Sequence, residues 1–149
     1  MEVFRISSKK HSKSLTASGV SNRWNKDNQF VIYTGECRSL STLENVVHLN
    51  VMPAIKFEVM VISIADDERL FKRIQIKDLP SDWRSDAQYP VLQDIGNEWY
   101  INRETLVLQV PSAIIQQEFN YVINTAHPDF LKMVSLIRHE EYFWDERLF

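Results

Sequence analysis

Phe30-Val31-Ile32-Tyr33-Thr34-Gly35-Glu36-Cys37-Arg38-Ser39-Leu40-Ser41-Thr42-Leu43-Glu44-Asn45-Val46-Val47 is the stretch that decides the fold. Its first five residues form an apolar run rich in β-branched and aromatic side chains, which reads as a buried strand. Ser39 to Val51 then repeats its apolar residues at helical period. Working outward, Met1 to Ile6 is a short strand, Ser7 to Asn22 a polar stretch without a pattern of its own, and Asn25-Lys26-Asp27-Asn28 a turn. A patternless segment of that length is either disordered or a functional loop. Downstream, Phe57 to Ile64 and Leu70 to Ile76 read as strands, and Pro80 to Trp83 as a loop. Gln88 to Ile101 reads as a helix through Val91, Leu92, Ile95 and Trp99. Leu106 to Val110 is a strand stopped by Pro111, Tyr121 to Ile123 another, Asn124 to Asp129 a turn, and Val134 to Ile137 the start of a last strand. The aromatic tail from Tyr142 to Phe149 is expected to dock. Short strands with two helices and no βαβ alternation predict one α+β domain over residues 1–149.

Composition narrows the function. With 149 residues and 44% hydrophobic side chains, the chain is long enough to bury ~70% of its unfolded surface in one core. The balance of 17 Lys+Arg against 20 Asp+Glu gives a net charge of −3, which offers no general attraction to nucleic acid. The small basic patch of Lys9, Lys10 and Lys13 is too slight to change that. One cysteine, Cys37, excludes a disulfide framework and a Cys-rich metal site. The four histidines are scattered without an H-E-x-x-H pattern, so no metal is expected. Gly19, Gly35 and Gly96 are too few and too far apart for a glycine-rich phosphate loop. No apolar run approaches the ~20 residues of a membrane helix. The first residues lack the apolar core of a secretory signal, so the expectation is a cytoplasmic protein.

The anomaly is Glu44. At ~100° per residue, Leu40, Leu43, Val47 and Val51 fall on one stripe of the first helix, and Glu44 falls inside it. A carboxylate on a buried face is costly unless it is paired or faces a cleft. Two readings compete. Ser41-Thr42-Leu43-Glu44 fits a capping box, in which Glu44 reaches back to the amide of an N-cap Ser41. Alternatively Glu44 is the floor of a site. Arg23, Tyr33 and Glu44 would together supply a phosphate clamp, a stacking ring and an anion for a developing sugar cation. Each also has an ordinary structural explanation, and Trp24 reads as core. Ser112 follows a strand directly but lacks a G-x-S-x-G elbow, so it is not a hydrolase nucleophile. It would bind a ligand or cap a turn.

The ordered set of short segments resembles the RES domain, the toxin half of RES–Xre toxin–antitoxin pairs. The matching pieces are Val3-Phe4-Arg5-Ile6, Asn22-Arg23-Trp24-Asn25, Val31-Ile32-Tyr33-Thr34-Gly35-Glu36 and Leu40-Ser41-Thr42-Leu43-Glu44. They continue with Leu79-Pro80-Ser81-Asp82-Trp83, Val110-Pro111-Ser112-Ala113-Ile114, Glu118-Phe119-Asn120-Tyr121-Val122-Ile123-Asn124, His127-Pro128-Asp129-Phe130 and the Phe143-Trp144-Asp145-Glu146-Arg147-Leu148 tail. The resemblance implies a fold similar to diphtheria-toxin-type ADP-ribosyltransferases, NAD as substrate and an Xre-like antitoxin as partner. It implies that Arg23 holds the phosphates, Tyr33 packs on nicotinamide and Glu44 is the catalytic carboxylate. Ser112 would position substrate, with Arg5 and Asn120 as further pocket residues. Members of the family hydrolyse or phosphorolyse NAD, or transfer ADP-ribose to a protein. Water, phosphate and a protein side chain all stay open as acceptors, and a non-enzymatic binding module is the remaining alternative. The family's Gly-Gly before Arg-Trp-Asn is Ser21-Asn22 here, and its small residue before the Glu of the Tyr-Thr-Ala-Glu stretch is Gly35.

Overall fold

In the computed structural model, which describes residues 1–149, the chain runs β1 (Glu2–Ser8), β2 (Val31–Gly35), α1 (Arg38–Val46), β3 (Phe57–Ile64), β4 (Phe71–Arg73) and α2 (Tyr89–Asn102). It continues through β5 (Val107–Pro111), β6 (Phe119–Asn124), the short α3 (Phe130–Met133) and β7 (Val134–Tyr142). All strands belong to one sheet in the order β4-β5-β6-β2-β1-β3-β7. Only β4 and β5 run parallel; every other pairing is antiparallel. The architecture is the expected α+β domain.

The apolar run that opened the reading is buried on both faces of the sheet. Ile32 packs into a cluster with Val3, Met60, Ile62, Leu106 and Ile123. Its neighbour Val31 points the other way, into Trp24, Leu92, Trp99, Leu108 and Val122. Successive strand residues face opposite sides, so a strand covered on both sides shows no polar alternation. The helix α2 covers the second face with Leu92 and Trp99, and Gly96 lies between them on the same helix. A Cβ at Gly96 would lie 1.7 Å from the carbonyl oxygen of Trp24. This glycine therefore sets how closely α2 approaches the Asn22–Asn25 segment.

One feature of the sheet prepares the site. The strands β1 and β3 pair along the whole of β1, and β2 pairs with β6 along its whole length. Between β1 and β2 the register reduces to a single pair, Phe4 opposite Gly35. The sheet splays there into two halves.

Several expectations are corrected. The first helix ends at Val46 rather than Val51, so Val47 and Val51 are 58% and 71% exposed instead of lining a buried stripe. Its ladder gives way to tight bonds from His48 to the Asn45 carbonyl and from Leu49 to that of Val46. Two adjacent β-branched valines at that point favour helix weakly. The strand expected over Leu70 to Ile76 shrinks to β4, between single 3-10 turns at Glu68–Leu70 and Ile76–Asp78. The strand that begins at Val134 runs to Tyr142. The polar stretch after β1 is anchored on the protein: Ser12 is fully buried and its hydroxyl bonds the carboxylate of Glu58 on β3. The aromatic tail docks through Trp144, which meets Phe57, Tyr142 and Phe149 edge to face.

Two outcomes test this description. Gly96→Ala drives a methyl into backbone and is expected to cost about 1–3 kcal/mol, the scale of core overpacking, read as a lower urea midpoint. Glu58 is held below its ordinary value of 4.5 by the Ser12 hydroxyl first, then by His139 and Lys9. A depressed carboxylate stabilises the fold above its unfolded pKa and loses that contribution as pH falls through its folded pKa. Glu58→Gln should therefore melt below wild type at pH 7, and the gap should narrow as pH drops below about 4.5.

Candidate active site

A cleft opens where β1 and β2 part. Its narrower compartment, about 220 Å³, is bordered by Phe4 and Arg5 of β1, Thr34 of β2, and Ser41 and Asn45 of α1. The wider one, about 790 Å³, is bordered by Arg23, Arg84, Ser85, Tyr89 and Pro111. Asn22, Tyr33, Glu44, His48 and Asn120 line both, so they mark the junction.

At that junction sits Glu44, half-buried on α1. Its Oε1 accepts hydrogen bonds from Ser112 Oγ at 2.8 Å and from Asn120 Nδ2 at 2.5 Å. The capping-box alternative is overturned. The N-cap is Cys37, whose sulfur accepts from the Leu40 amide at 3.4 Å. Ser41 lies inside the helix, with its hydroxyl 2.9 Å from the Phe4 carbonyl oxygen and 3.0 Å from that of Cys37. This contact ties α1 to β1 at the one place where β1 meets β2. Gly35 packs closely beneath it, where a Cβ would fall 2.7 Å from Ser41 Oγ and would shift that hydroxyl. Val47 is exposed and so does not form the apolar cradle expected around Glu44. The carboxylate is held by neutral donors, and no cation lies within ion-pair distance of it.

Ser112 stands behind Glu44, fully buried and off the cavity wall. Its hydroxyl also accepts from the amides of Ile114 and Ile115 at 3.0 and 3.1 Å. Both sequence readings of this serine meet here, but its reach toward a ligand passes through Glu44. Asn120 lies opposite Gly35 on β2 and Val110 on β5, which aims its side chain from the sheet at the helix.

Arg23 is presented by a tight turn. Asn22 and Asn25 exchange backbone hydrogen bonds at 3.1 and 3.3 Å, and Asn22 Oδ1 accepts from the Arg23 amide at 2.8 Å. Neither Ser21 nor Asn22 has a positive φ, so the turn does not call for the Gly-Gly of the resemblance. Trp24 goes into the core as expected, 2% exposed, while Arg23 lines the wide compartment. Its Nη1 donates to the carbonyls of Trp83 and Arg84 at 3.3 and 3.1 Å, and its guanidinium lies 4.6 Å from the Tyr89 ring centre.

The Tyr33 hydroxyl is taken up inside the protein: it donates to Asn25 Oδ1 at 2.8 Å and accepts from the Trp24 amide at 3.1 Å. Burial pushes the phenol pKa well above its ordinary value of 10. The ring still lines both compartments. Tyr33 thus fixes the Arg23 turn with its oxygen and offers the cleft an aromatic wall. Arg5 is half-buried on the narrow side, where its Nη1 donates to the Thr16 carbonyl at 3.3 Å and desolvation lowers its pKa. Arg5, Arg23 and Arg84 have no carboxylate within ion-pair distance, unlike Arg38, Arg69, Arg73, Arg138 and Arg147. Sequence reasoning missed His48, Arg84 and Ser85. His48 follows Glu44 by about one helical turn and so shares its face; no spacing pattern links residues 84–85 to residue 44, and only the packing of the cleft does.

Known proteins resemble this chain along nearly its whole length. A family model described as the RES domain matches residues 2–145. A protein named Toxin Res from Yersinia enterocolitica serotype O:8 / biotype 1B is 33% identical over 127 residues, which is 85% of this chain and 82% of that one. One named Prs ADP-ribosylating toxin, from a Sphingobium species, is 30% identical over 129 residues, covering 85% and 79% of the two chains. Another Toxin Res, from Pseudomonas putida, is 28% identical over 149 residues and covers all of both.

The two donors on Glu44 should separate in a stability measurement. Ser112→Ala leaves two amides and a carboxylate short of a partner in a buried place, at about 1–3 kcal/mol for each group left unsatisfied. Asn120→Ala removes one donor at the cleft surface, where water can replace it, and is expected to cost less than about 1 kcal/mol. The urea midpoint of Ser112→Ala should fall clearly below that of Asn120→Ala; equal midpoints contradict the assignment.

Proposed function

This chain belongs to the RES domain family, and we propose on that premise that it is a toxin that breaks the nicotinamide–ribosyl bond of NAD. The observation that carries the reading is Glu44, an acidic group without a counter-cation at the junction of the two compartments. Around it, Arg5, Arg23 and Arg84 bring guanidinium groups without carboxylate partners, which suits a substrate with a pyrophosphate.

In this reading Arg23 binds the pyrophosphate and fixes the dinucleotide in the cleft, and orientation lowers the barrier. Tyr33 packs against the nicotinamide. As the C1′–N bond breaks, its electron pair leaves with nicotinamide and the ribose becomes cationic, as in glycoside cleavage. Glu44 faces that cation and stabilises it. Ser112 and Asn120 keep the carboxylate aimed without neutralising it. An acceptor oxygen then bonds to C1′ and releases its proton, to give ADP-ribose from water or its 1′-phosphate from inorganic phosphate. Loss of NAD would arrest growth of the cell that makes the toxin. The name of the Sphingobium relative favours a second reading, transfer of ADP-ribose to a protein side chain by the same residues. A toxin of this kind needs an antitoxin, and an Xre-like protein covering the cleft is the proposed partner.

Glu44→Gln keeps the shape and the hydrogen-bonding oxygen but removes the charge. It should fold, and NAD consumption should fall by about 10²–10³, the usual loss for one such electrostatic contact. Growth arrest should disappear with it. A folded Glu44→Gln protein with full toxicity contradicts the assignment. Mass spectrometry of the products with and without phosphate separates free ADP-ribose, its phosphate and a labelled protein.

A further inference from the structure

The wide compartment holds two neighbouring groups, Arg84 and Ser85, beside Arg23. Arg84 lies next to Arg23 in space, because the Arg84 carbonyl accepts the Arg23 hydrogen bond at 3.1 Å. The Arg84 guanidinium is anchored by one hydrogen bond, from Nε to the Ala113 carbonyl at 2.7 Å. The side chain is therefore steered toward the Ser112 turn while its terminal donors meet no carboxylate. Ser85 follows directly. It has N-cap geometry ahead of the turn Asp86–Gln88, yet its side chain makes no cap bond. Its Oγ is buried and has no hydrogen-bond partner at all. A buried hydroxyl without a partner costs stability, so its presence calls for an explanation. Besides Glu44, the carboxylate that lines this compartment is Asp82, which already accepts from Gln88 Nε2 at 2.9 Å.

Two guanidinium groups on one wall, with the unpartnered Ser85 hydroxyl just beneath its surface, form a donor set for a phosphate group. We propose that Arg84 and Ser85, together with Arg23, cradle the pyrophosphate of the substrate in the wide compartment. The inference rests on the NAD reading and deepens it: Arg84 and Ser85 are binding residues that fix which end of the dinucleotide enters which compartment. The narrower compartment then takes the nicotinamide side, and the junction residues meet the scissile bond. A phosphate on the adenosine ribose, as in NADP, is the other source of the same chemistry.

The test uses the full chain freed of any partner. Arg84→Ala should raise the KM for NAD about tenfold or more, with a smaller effect on kcat, since it does not touch Glu44; Arg84→Lys should recover part of the loss. Ser85→Ala is the sharper variant. Because its hydroxyl has no protein partner, the melting temperature should stay or rise, while the affinity for ADP-ribose, read by calorimetry, should fall several-fold. A lowered melting temperature with unchanged ADP-ribose affinity makes the hydroxyl merely structural and overturns the inference. Unchanged KM and affinity in Arg84→Ala overturn it too, and leave the NAD reading standing. A loss confined to NADP, with NAD unaffected, assigns the cradle to the other phosphate and overturns it as stated. If wild type consumes no NAD, the NAD reading fails, and ADP-ribose binding alone then decides the cradle.

Discussion

Everything in the cleft depends on one carboxylate being held by two neutral donors. Ser112 and Asn120 reach Glu44 from the β5–β6 hairpin, at 2.8 and 2.5 Å. That hairpin is itself pinned, with Pro111 opposite Phe119, Val110 opposite Asn120, and the Ser112 amide bonded to the Glu118 carbonyl at 2.9 Å. Its end acts as a jig for an acid carried by a different element. An arginine or lysine in the same place would aim the carboxylate equally well but would cancel its charge. Hydroxyl and amide dipoles aim it and leave the field available to a cation in the cleft, which is the preorganised arrangement that stabilises developing charge.

The second constraint is the parting of β1 from β2. A sheet that went on pairing from Phe4–Gly35 would set Thr34 opposite Arg5 and Tyr33 opposite Ile6 and would leave no cleft. Pairing at Phe4–Gly35 alone, reinforced by Ser41 on the Phe4 carbonyl, closes the sheet at one point and lets it open beside that point. On the open side, Tyr33 and Asn25 lock the Asn22–Asn25 turn, and α2 comes close enough at Gly96 for Gln93 to bond the Asn22 carbonyl at 2.9 Å. Arg23 is thereby carried on a rigid turn although it sits in a long connection.

How much of this was legible follows from the range of each interaction. The strand at Ile32 and the helix that begins after Cys37 are written in adjacent residues, so the α+β class could be read directly. Burial of a strand on both faces also leaves a local mark, an unbroken apolar run. The end of α1 was misplaced because Val47 and Val51 keep helical spacing beyond the point where the helix stops. Glu44 stood out because it breaks an apolar stripe, but spacing alone left it open between cap and site; that choice is made by Ser112 and Asn120, distant in sequence. The internal partners of the Tyr33 hydroxyl, Trp24 and Asn25, are likewise set by packing rather than by spacing. The resemblance supplied Arg5 and Asn120, which no local pattern would have chosen. Arg84 and Ser85 belong to the cleft only through packing, and their sequence neighbourhood carries no sign of it, whereas His48 follows Glu44 by about one helical turn.

The role proposed for the Glu44 charge is to meet a positive ribose. Its most direct test compares two dinucleotide analogues, one with a cationic nitrogen ring in place of the nicotinamide-side ribose and one with a neutral carbocycle of the same shape. Wild type should bind the cationic analogue much more tightly than the neutral one, and Glu44→Gln should lose that preference while it still binds the neutral analogue. Equal preference in the two proteins would contradict the account.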